Sequence, residues 1–305
     1  MLTAFAHYTI CLNLFYECVL FLAGLALGSF LNVCITRIPR DESIVRPPSH
    51  CRACLRPLRW RDNIPVFSFV WLRGRCRQCG SRISYRYLAV ELLTAVIFAT
   101  CYARFGPSLL ALKFCVFTFL LIGLIFMDAE TGLLPHEFTY PGTALGLVFA
   151  WLAPGDSTGT WLLLLAFHQH IASVRALSLL DAVVGAFVGA GFFYVAWALY
   201  YLTRKRHGLG FGDIALMAMS GAFLGLKLNL FVIVCAPIVT LVFILALLAW
   251  EGLRSRRGTA ALDAEAENET PLLQRQLPFG VFLGTCALAA TFVGEAAWAW
   301  YLRGF

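Results

Sequence analysis

Long apolar runs separated by short polar links recur along almost the whole chain, and no other feature restricts the fold as much. They fall near Cys11–Ile35, Tyr87–Tyr102, Leu109–Met127, Phe138–Ala153, Leu177–Leu202, Ile214–Leu226, Leu230–Trp250 and Phe279–Leu302. A helix of about 20 apolar residues, within a range of about 17–25, crosses the hydrocarbon core of a bilayer. The runs therefore predict an all-α polytopic membrane protein with about eight transmembrane helices, the sixth being the shortest. Composition agrees: 60% of the residues are apolar and 13% charged, whereas a soluble domain carries about a quarter charged residues. Such a chain cannot cover itself with polar surface. Disorder needs low hydrophobicity, and a secreted disulfide scaffold needs a short, cysteine-dense chain, so both are excluded.

Charge is concentrated in one place. The stretch from Arg37 to Arg86 holds twelve arginines against three acids, a net +9, while the whole chain is only +7. Basic runs can bind nucleic acid, but beside hydrophobic spans they mark loops that stay in the cytoplasm. No nucleic-acid partner is expected. Residues 36–86 thus read as a cytoplasmic domain after a first span at residues 11–35, and 87–305 as the membrane domain, with a flexible polar linker at 251–277. Met1–Ile10 contains no Lys or Arg, so it lacks the basic start of a cleaved signal peptide, and the first span is expected to be retained.

With eight spans, both termini are expected on the periplasmic side. The clusters Arg204-Lys205-Arg206 and Arg254, Arg256 and Arg257 then join the Arg-rich loop inside, and the opposite side receives sparsely charged links near Arg104–Ser108, Pro154–Arg175 and Lys227–Asn229. Lys113 and Asp181 lie near helix ends and are expected to snorkel. Glu295 lies about two turns inside its helix and requires a partner.

Four of the eleven cysteines stand in the Arg-rich loop as Cys51-x2-Cys54 and Cys76-x2-Cys79. Each knuckle can direct two thiolates at one ion, and two knuckles complete a tetrahedral four-sulfur zinc site. His50 is a further possible ligand. Paired disulfides are the competing reading, and a reducing cytoplasm disfavours them. A small zinc-ribbon-like domain between the first two helices is expected. A closed four-thiolate site is structural and does not catalyse. The remaining cysteines lie in apolar runs, as small core residues do.

Two acids at helix ends carry the chemistry. Asp128 closes the third span in Met127-Asp128-Ala129-Glu130-Thr131-Gly132-Leu133-Leu134-Pro135, and Asp213 opens the sixth in Gly210-Phe211-Gly212-Asp213. Counting spans puts both on the cytoplasmic side at similar depth. Two carboxylates sharing a partly dry site cannot both ionise easily, so one keeps a proton while the other acts as base. Such a pair can activate water against a peptide carbonyl without a covalent enzyme adduct. Gly210 and Gly212 leave room for a substrate backbone.

These motifs together resemble the type IV prepilin peptidases, GxGD-type aspartic proteases of bacterial inner membranes that are commonly bifunctional leader peptidases and N-methyltransferases. The resemblance covers nearly the whole chain: Gly28-Ser29-Phe30-Leu31-Asn32-Val33, Arg37-Ile38-Pro39, Arg46-Pro47-Pro48-Ser49-His50-Cys51, Asp62-Asn63-Ile64-Pro65-Val66, Arg73-Gly74-Arg75-Cys76, Ile83-Ser84-Tyr85-Arg86-Tyr87, Val90-Glu91-Leu92-Leu93-Thr94, both aspartate motifs and Pro278-Phe279-Gly280. It implies that Asp128 and Asp213 are the catalytic pair and that Cys51, Cys54, Cys76 and Cys79 belong to the cytoplasmic domain that relatives limited to peptidase activity lack. It further implies prepilins and type II secretion pseudopilins as substrates, cleaved after the Gly that ends a basic leader. The new amino terminus, usually Phe, would be methylated from S-adenosylmethionine. No glycine-rich loop after a strand announces where that donor binds. The chain departs from the family pattern at His136 after Leu-Pro, at His207 before the GxGD, and at Ala215 where a Lys commonly follows the second Asp. The Arg side chains of the loop suit anionic lipid headgroups better than a basic leader. Two membrane acids could also serve a proton-coupled transporter, but no pair of similar halves accompanies them.

Overall fold

In the computed structural model the chain is built almost entirely of helices. The structure describes residues 2–160, 164, 173–205, 210–257 and 278–303, and among these the only β structure is two isolated bridges within the irregular cysteine segment. The helices are α1 (Leu2–Arg37), α2 (Phe67–Trp71), α3 (Tyr85–Phe105), α4 (Leu109–Thr131), α5 (His136–Leu152), α6 (Val174–Arg204), α7 (Phe211–Arg257) and α8 (Phe279–Leu302). Their starts follow from local chemistry. The side chains of Ser84, Ser108 and Ser173 accept the Arg86, Ala111 and Ala176 amides and so cap α3, α4 and α6. Gly132, at φ 65°, ends α4 in the left-handed conformation.

Six helices among the described residues are long and apolar enough to cross a membrane, against the eight runs expected. The difference lies in two places. α5 has only 17 residues, and α7 holds two of the expected runs in one element of 47 residues. The helical pattern of α7 breaks at Gly225 (φ 76°, ψ −179°), and the chain doubles back there. On the outgoing limb, Ala222 packs against Gly146 of α5. On the returning limb Leu228 meets Gly294, and Phe243 lies against Phe282 with tilted rings and centroids 5.2 Å apart, so this limb runs antiparallel to α8. The helix continues through Arg257, past the point where the linker was expected to begin. Glu, Leu and Arg in that stretch are good helix formers. The rest of that linker, residues 258–277, lies outside the described residues.

α4 is the central post. Phe117, Leu121, Ile122, Leu124 and Met127 are fully buried, and the helix touches α1, α3, α5, α7 and α8. The periphery is apolar too: Phe187, Val195 and Leu202 of α6 and Val234, Leu241 and Val242 of α7 are exposed, as lipid-facing positions of a bundle are.

Lys113 and Asp181 do not snorkel; both are buried. Asp181 accepts the Thr160 hydroxyl at 2.6 Å and the Leu226 amide at 3.3 Å, and these bonds satisfy the first residue after the reversal. Glu295 has the partner it needs in Lys227, whose Nζ lies 2.6 Å from Glu295 and 2.6 Å from Asp156. Any β-carbon at residue 225 would collide with the Asp181 carboxylate, and its dihedrals lie where only glycine is comfortable. Gly225→Ala is therefore expected to cost about 1–3 kcal/mol, read as a lower thermal midpoint in detergent. Gly155→Ala, where nothing lies within 4 Å of an added carbon, should leave the midpoint in place.

Candidate functional site

The first turn of a helix leaves backbone N–H groups without intrahelical acceptors, and a carboxylate is a favourable partner for them. Asp128 fills that role for α8. It is 5% exposed, and its Oδ2 accepts the Val281 amide at 2.8 Å. The approach requires glycine at position 280, since a β-carbon there would lie 2.8 Å from Asp128 Oδ2 and 2.8 Å from Leu134 Cδ1. That contact gives the late Pro278-Phe279-Gly280 motif a physical reason that the sequence does not announce. A glycine in the first turn after Pro was the only signal.

Asp213 is the third residue of α7 and is 7% exposed. Its own amide donates to the Gly210 carbonyl at 3.2 Å. A β-carbon on Gly212 would lie 2.6 Å from Leu134 Cβ. Leu134 is thus seated between the first turns of α7 and α8, and sequence reasoning gave it no role. Leu134 therefore lies beside both the Gly280 turn that Asp128 faces and the Gly212 that precedes Asp213. The structure therefore brings the two acids to one end of the bundle, at the close of α4 and the openings of α7 and α8. Among the departures from the family pattern, His136 stacks on Tyr140 with centroids 4.6 Å apart, Ala215 lies in the first turns of α7, and His207 lies outside the described residues.

The Arg-rich segment folds around its cysteines. The sulfurs of Cys51, Cys54, Cys76 and Cys79 all lie within 4.8 Å of one another. Cys51 and Cys79 are 3.8 Å apart, about the separation that tetrahedral Zn–S bonds of about 2.3 Å require. The two knuckles share one backbone design. Leu55 (φ 56°) and Gly80 (φ 71°) are left-handed, and their amides return to the Cys51 and Cys76 carbonyls at 2.8 and 2.9 Å. The Cys54 amide holds the Cys51 thiol down at about 6, assisted by Ser81. Although the Arg56 amide favours its thiolate, burial and the neighbouring Cys51 and Cys79 sulfurs push Cys54 up to about 11. A bound cation relieves that kind of crowding, so the four residues suit a metal such as zinc. His50 stands apart, sharing a hydrogen bond with the Pro48 carbonyl at 3.2 Å.

Two side chains of the helices fasten this segment, and a third ties the helices beneath it to one another. Glu91 of α3 accepts the Val66 amide at 2.7 Å, and Arg37 donates to the Ser43 carbonyl at 2.9 Å. Arg86 joins the Thr36 hydroxyl at 2.9 Å and forms an ion pair with Glu130, two residues beyond Asp128.

The model described as the bacterial peptidase A24 N-terminal domain matches residues 22–105, which span the later part of α1, the cysteine segment and α3. The model described as the type IV leader peptidase family matches residues 115–245, which include both acids. The chain belongs to the type IV leader peptidase family. Its relatives include a prepilin leader peptidase/N-methyltransferase of Myxococcus xanthus (strain DK1622), 38% identical over 83% of this chain and 69% of that protein. One of the same name from Aeromonas hydrophila is 32% identical over 95% of both chains. Another, from Bacillus subtilis (strain 168), is 35% identical over 69% of this chain and 74% of its own length. No solved structure matches the chain.

Within this family member the cysteine site makes a direct forecast. Purified protein should hold about one zinc per chain by elemental analysis, and Cys51→Ser or Cys76→Ser should each release it. Metal content unchanged in both variants would refute the four-sulfur site.

Proposed function

We propose that this protein is a membrane-embedded aspartic endopeptidase that removes the basic leader from prepilins and type II secretion pseudopilins, cutting after Gly, and then N-methylates the new terminal residue, usually Phe. The observation that carries the peptidase reading is that Asp128 and Asp213, both buried, lie at the same end of the bundle on either side of Leu134. Relatives named prepilin leader peptidase/N-methyltransferase along nearly the full chain support both activities.

The pair works with one shared proton. The ionised carboxylate takes a proton from water, whose oxygen attacks the scissile carbonyl carbon. The protonated carboxyl gives its proton to the carbonyl oxygen, and the resulting tetrahedral intermediate collapses as the leaving nitrogen is protonated. Asp128 is held for this by the Val281 amide, and the bare backbone at Gly210 and Gly212 admits an extended substrate segment.

The acids and the Arg-rich segment lie on the cytoplasmic side of the inner membrane, with the start of α1 and the end of α8 periplasmic. A prepilin anchored by its hydrophobic helix, its basic leader kept inside, presents its scissile bond at that depth. Zinc on the four cysteines is structural, and residues 36–86 serve the methyl transfer, with S-adenosylmethionine supplying the methyl group.

Asp128→Asn and Asp213→Asn should each lower leader cleavage by about 10²–10⁴-fold, followed by product mass with a purified prepilin, while both proteins elute as the unsubstituted one does. Normal processing by either variant would remove that residue from the pair. The mass of the cleaved product, with and without S-adenosylmethionine, reads methylation separately.

A further inference from the structure

Motif residues of α1 and α3 that the aspartate pair does not use converge on a cavity of about 690 Å³ between the cysteine segment and the adjoining ends of these helices. Neither Asp128 nor Asp213 lines it. The convergence has a steric cause. A β-carbon on Gly28 would lie 2.8 Å from the Glu91 Cα, so glycine lets α1 and α3 close up. One turn on, Asn32 then borders the same space as Glu91.

Two buried groups there are incompletely matched. Asn32 is 1% exposed. Its Nδ2 donates to the Tyr87 carbonyl at 3.0 Å, while its Oδ1 has no hydrogen-bond partner. Glu91, 7% exposed, accepts the Val66 amide and the Ser29 hydroxyl but forms no ion pair among the described residues. Buried acceptors of this kind call for a donor, and a buried carboxylate calls for a cation. Arg40 and Arg82 also line the cavity and likewise form no ion pair among the described residues, so the opposite charge of a ligand has partners as well. The volume suits a nucleoside-sized molecule and is too small for a helix. A molecule with cationic centres, a carboxylate and a nucleoside body fits this set, and S-adenosylmethionine has all three.

We propose that this cavity is the methyl-donor site, with Asn32 and Glu91 as the acceptors that recognise the donor's cationic portion. The inference rests on the methyltransferase reading and adds to it a place and two residues, on helices that carry neither acid of the peptidase pair.

The test is equilibrium dialysis of radiolabelled S-adenosylmethionine against the purified full chain in detergent, for the unsubstituted protein, Glu91→Gln and Asn32→Ala. Glutamine keeps a carbonyl oxygen for the Val66 amide and removes only the charge, so retained zinc and monodisperse elution report an intact fold. Each variant should bind the donor about tenfold or more weakly, the loss of one charge-assisted contact. Ultraviolet cross-linking of the donor to the unsubstituted protein, mapped by peptide mass, should label residues between 29 and 91, and this reading does not depend on either variant folding. Undiminished binding in both variants, or a label confined to other segments, overturns the site even if the protein still methylates its product. An unsubstituted protein that binds no donor and adds no methyl group overturns both this inference and the methyltransferase reading.

Discussion

A carboxylate buried in a helix bundle of this hydrophobicity must find a hydrogen-bond donor, and for Asp128 the donor is the open end of another helix. The bond from the Val281 amide joins positions far apart in the chain, and much of the site follows from it. It sets the first turn of α8 against the last turn of α4. α8 packs along the returning limb of α7, whose outgoing limb begins beside Asp213. Holding α8 at Asp128 thus also brings the second acid within reach. Leu134 fills the remaining gap, touching the positions where side chains on Gly212 and Gly280 would stand. Two glycines and one leucine therefore set how closely the three helix ends meet.

What could be read from the sequence is what neighbouring residues decide. The apolar runs, the paired CxxC knuckles and the GxGD are local patterns, and the structure places helices and a four-sulfur cluster where they stand. The reversal expected at Lys227–Asn229 falls earlier, at Gly225, because only glycine accepts the backbone angles there. Partners across long separations left no such trace. The Lys227 ammonium that neutralises Glu295 stood in a link that looked merely short and polar. The burial of Lys113 and Asp181 was missed because a sequence shows how deep a residue lies along its helix, while its neighbours decide whether it must reach for the surface. The pairing of Gly280 with Asp128 was hidden for the same reason.

The cysteine segment illustrates a second way to stabilise a fold with little core. It has few buried aliphatic side chains of its own, so order comes from the two knuckles and from hydrogen bonds to the helices beneath. Glu91 to Val66 and Arg37 to Ser43 attach it at two points. These anchors come from α1 and α3, the helices that flank the segment in sequence, and they close loops of 6 and 25 residues, over which closure entropy grows only slowly.

The two ends of the bundle are built differently. Apolar helices in lipid gain nothing from burying apolar surface against each other, so close packing of small residues and a few polar ties must fix their arrangement. Away from the acids those ties are dense. Lys227 joins Asp156 and Glu295, Asp181 holds Thr160 and the Leu226 amide, and Asn229 donates to the Gly185 carbonyl at 2.9 Å. At the acid end, among the described residues, one ion pair between helices stands, Arg86 with Glu130, and it joins α3 to α4 without touching α7 or α8. Among the described residues, Asp213 thus sits on a limb tied by charged and polar groups at its far end and by packing at its near end. The contact of Gly212 with Leu134 can part without breaking the Asp128–Val281 bond, so Asp213 is held less tightly than Asp128.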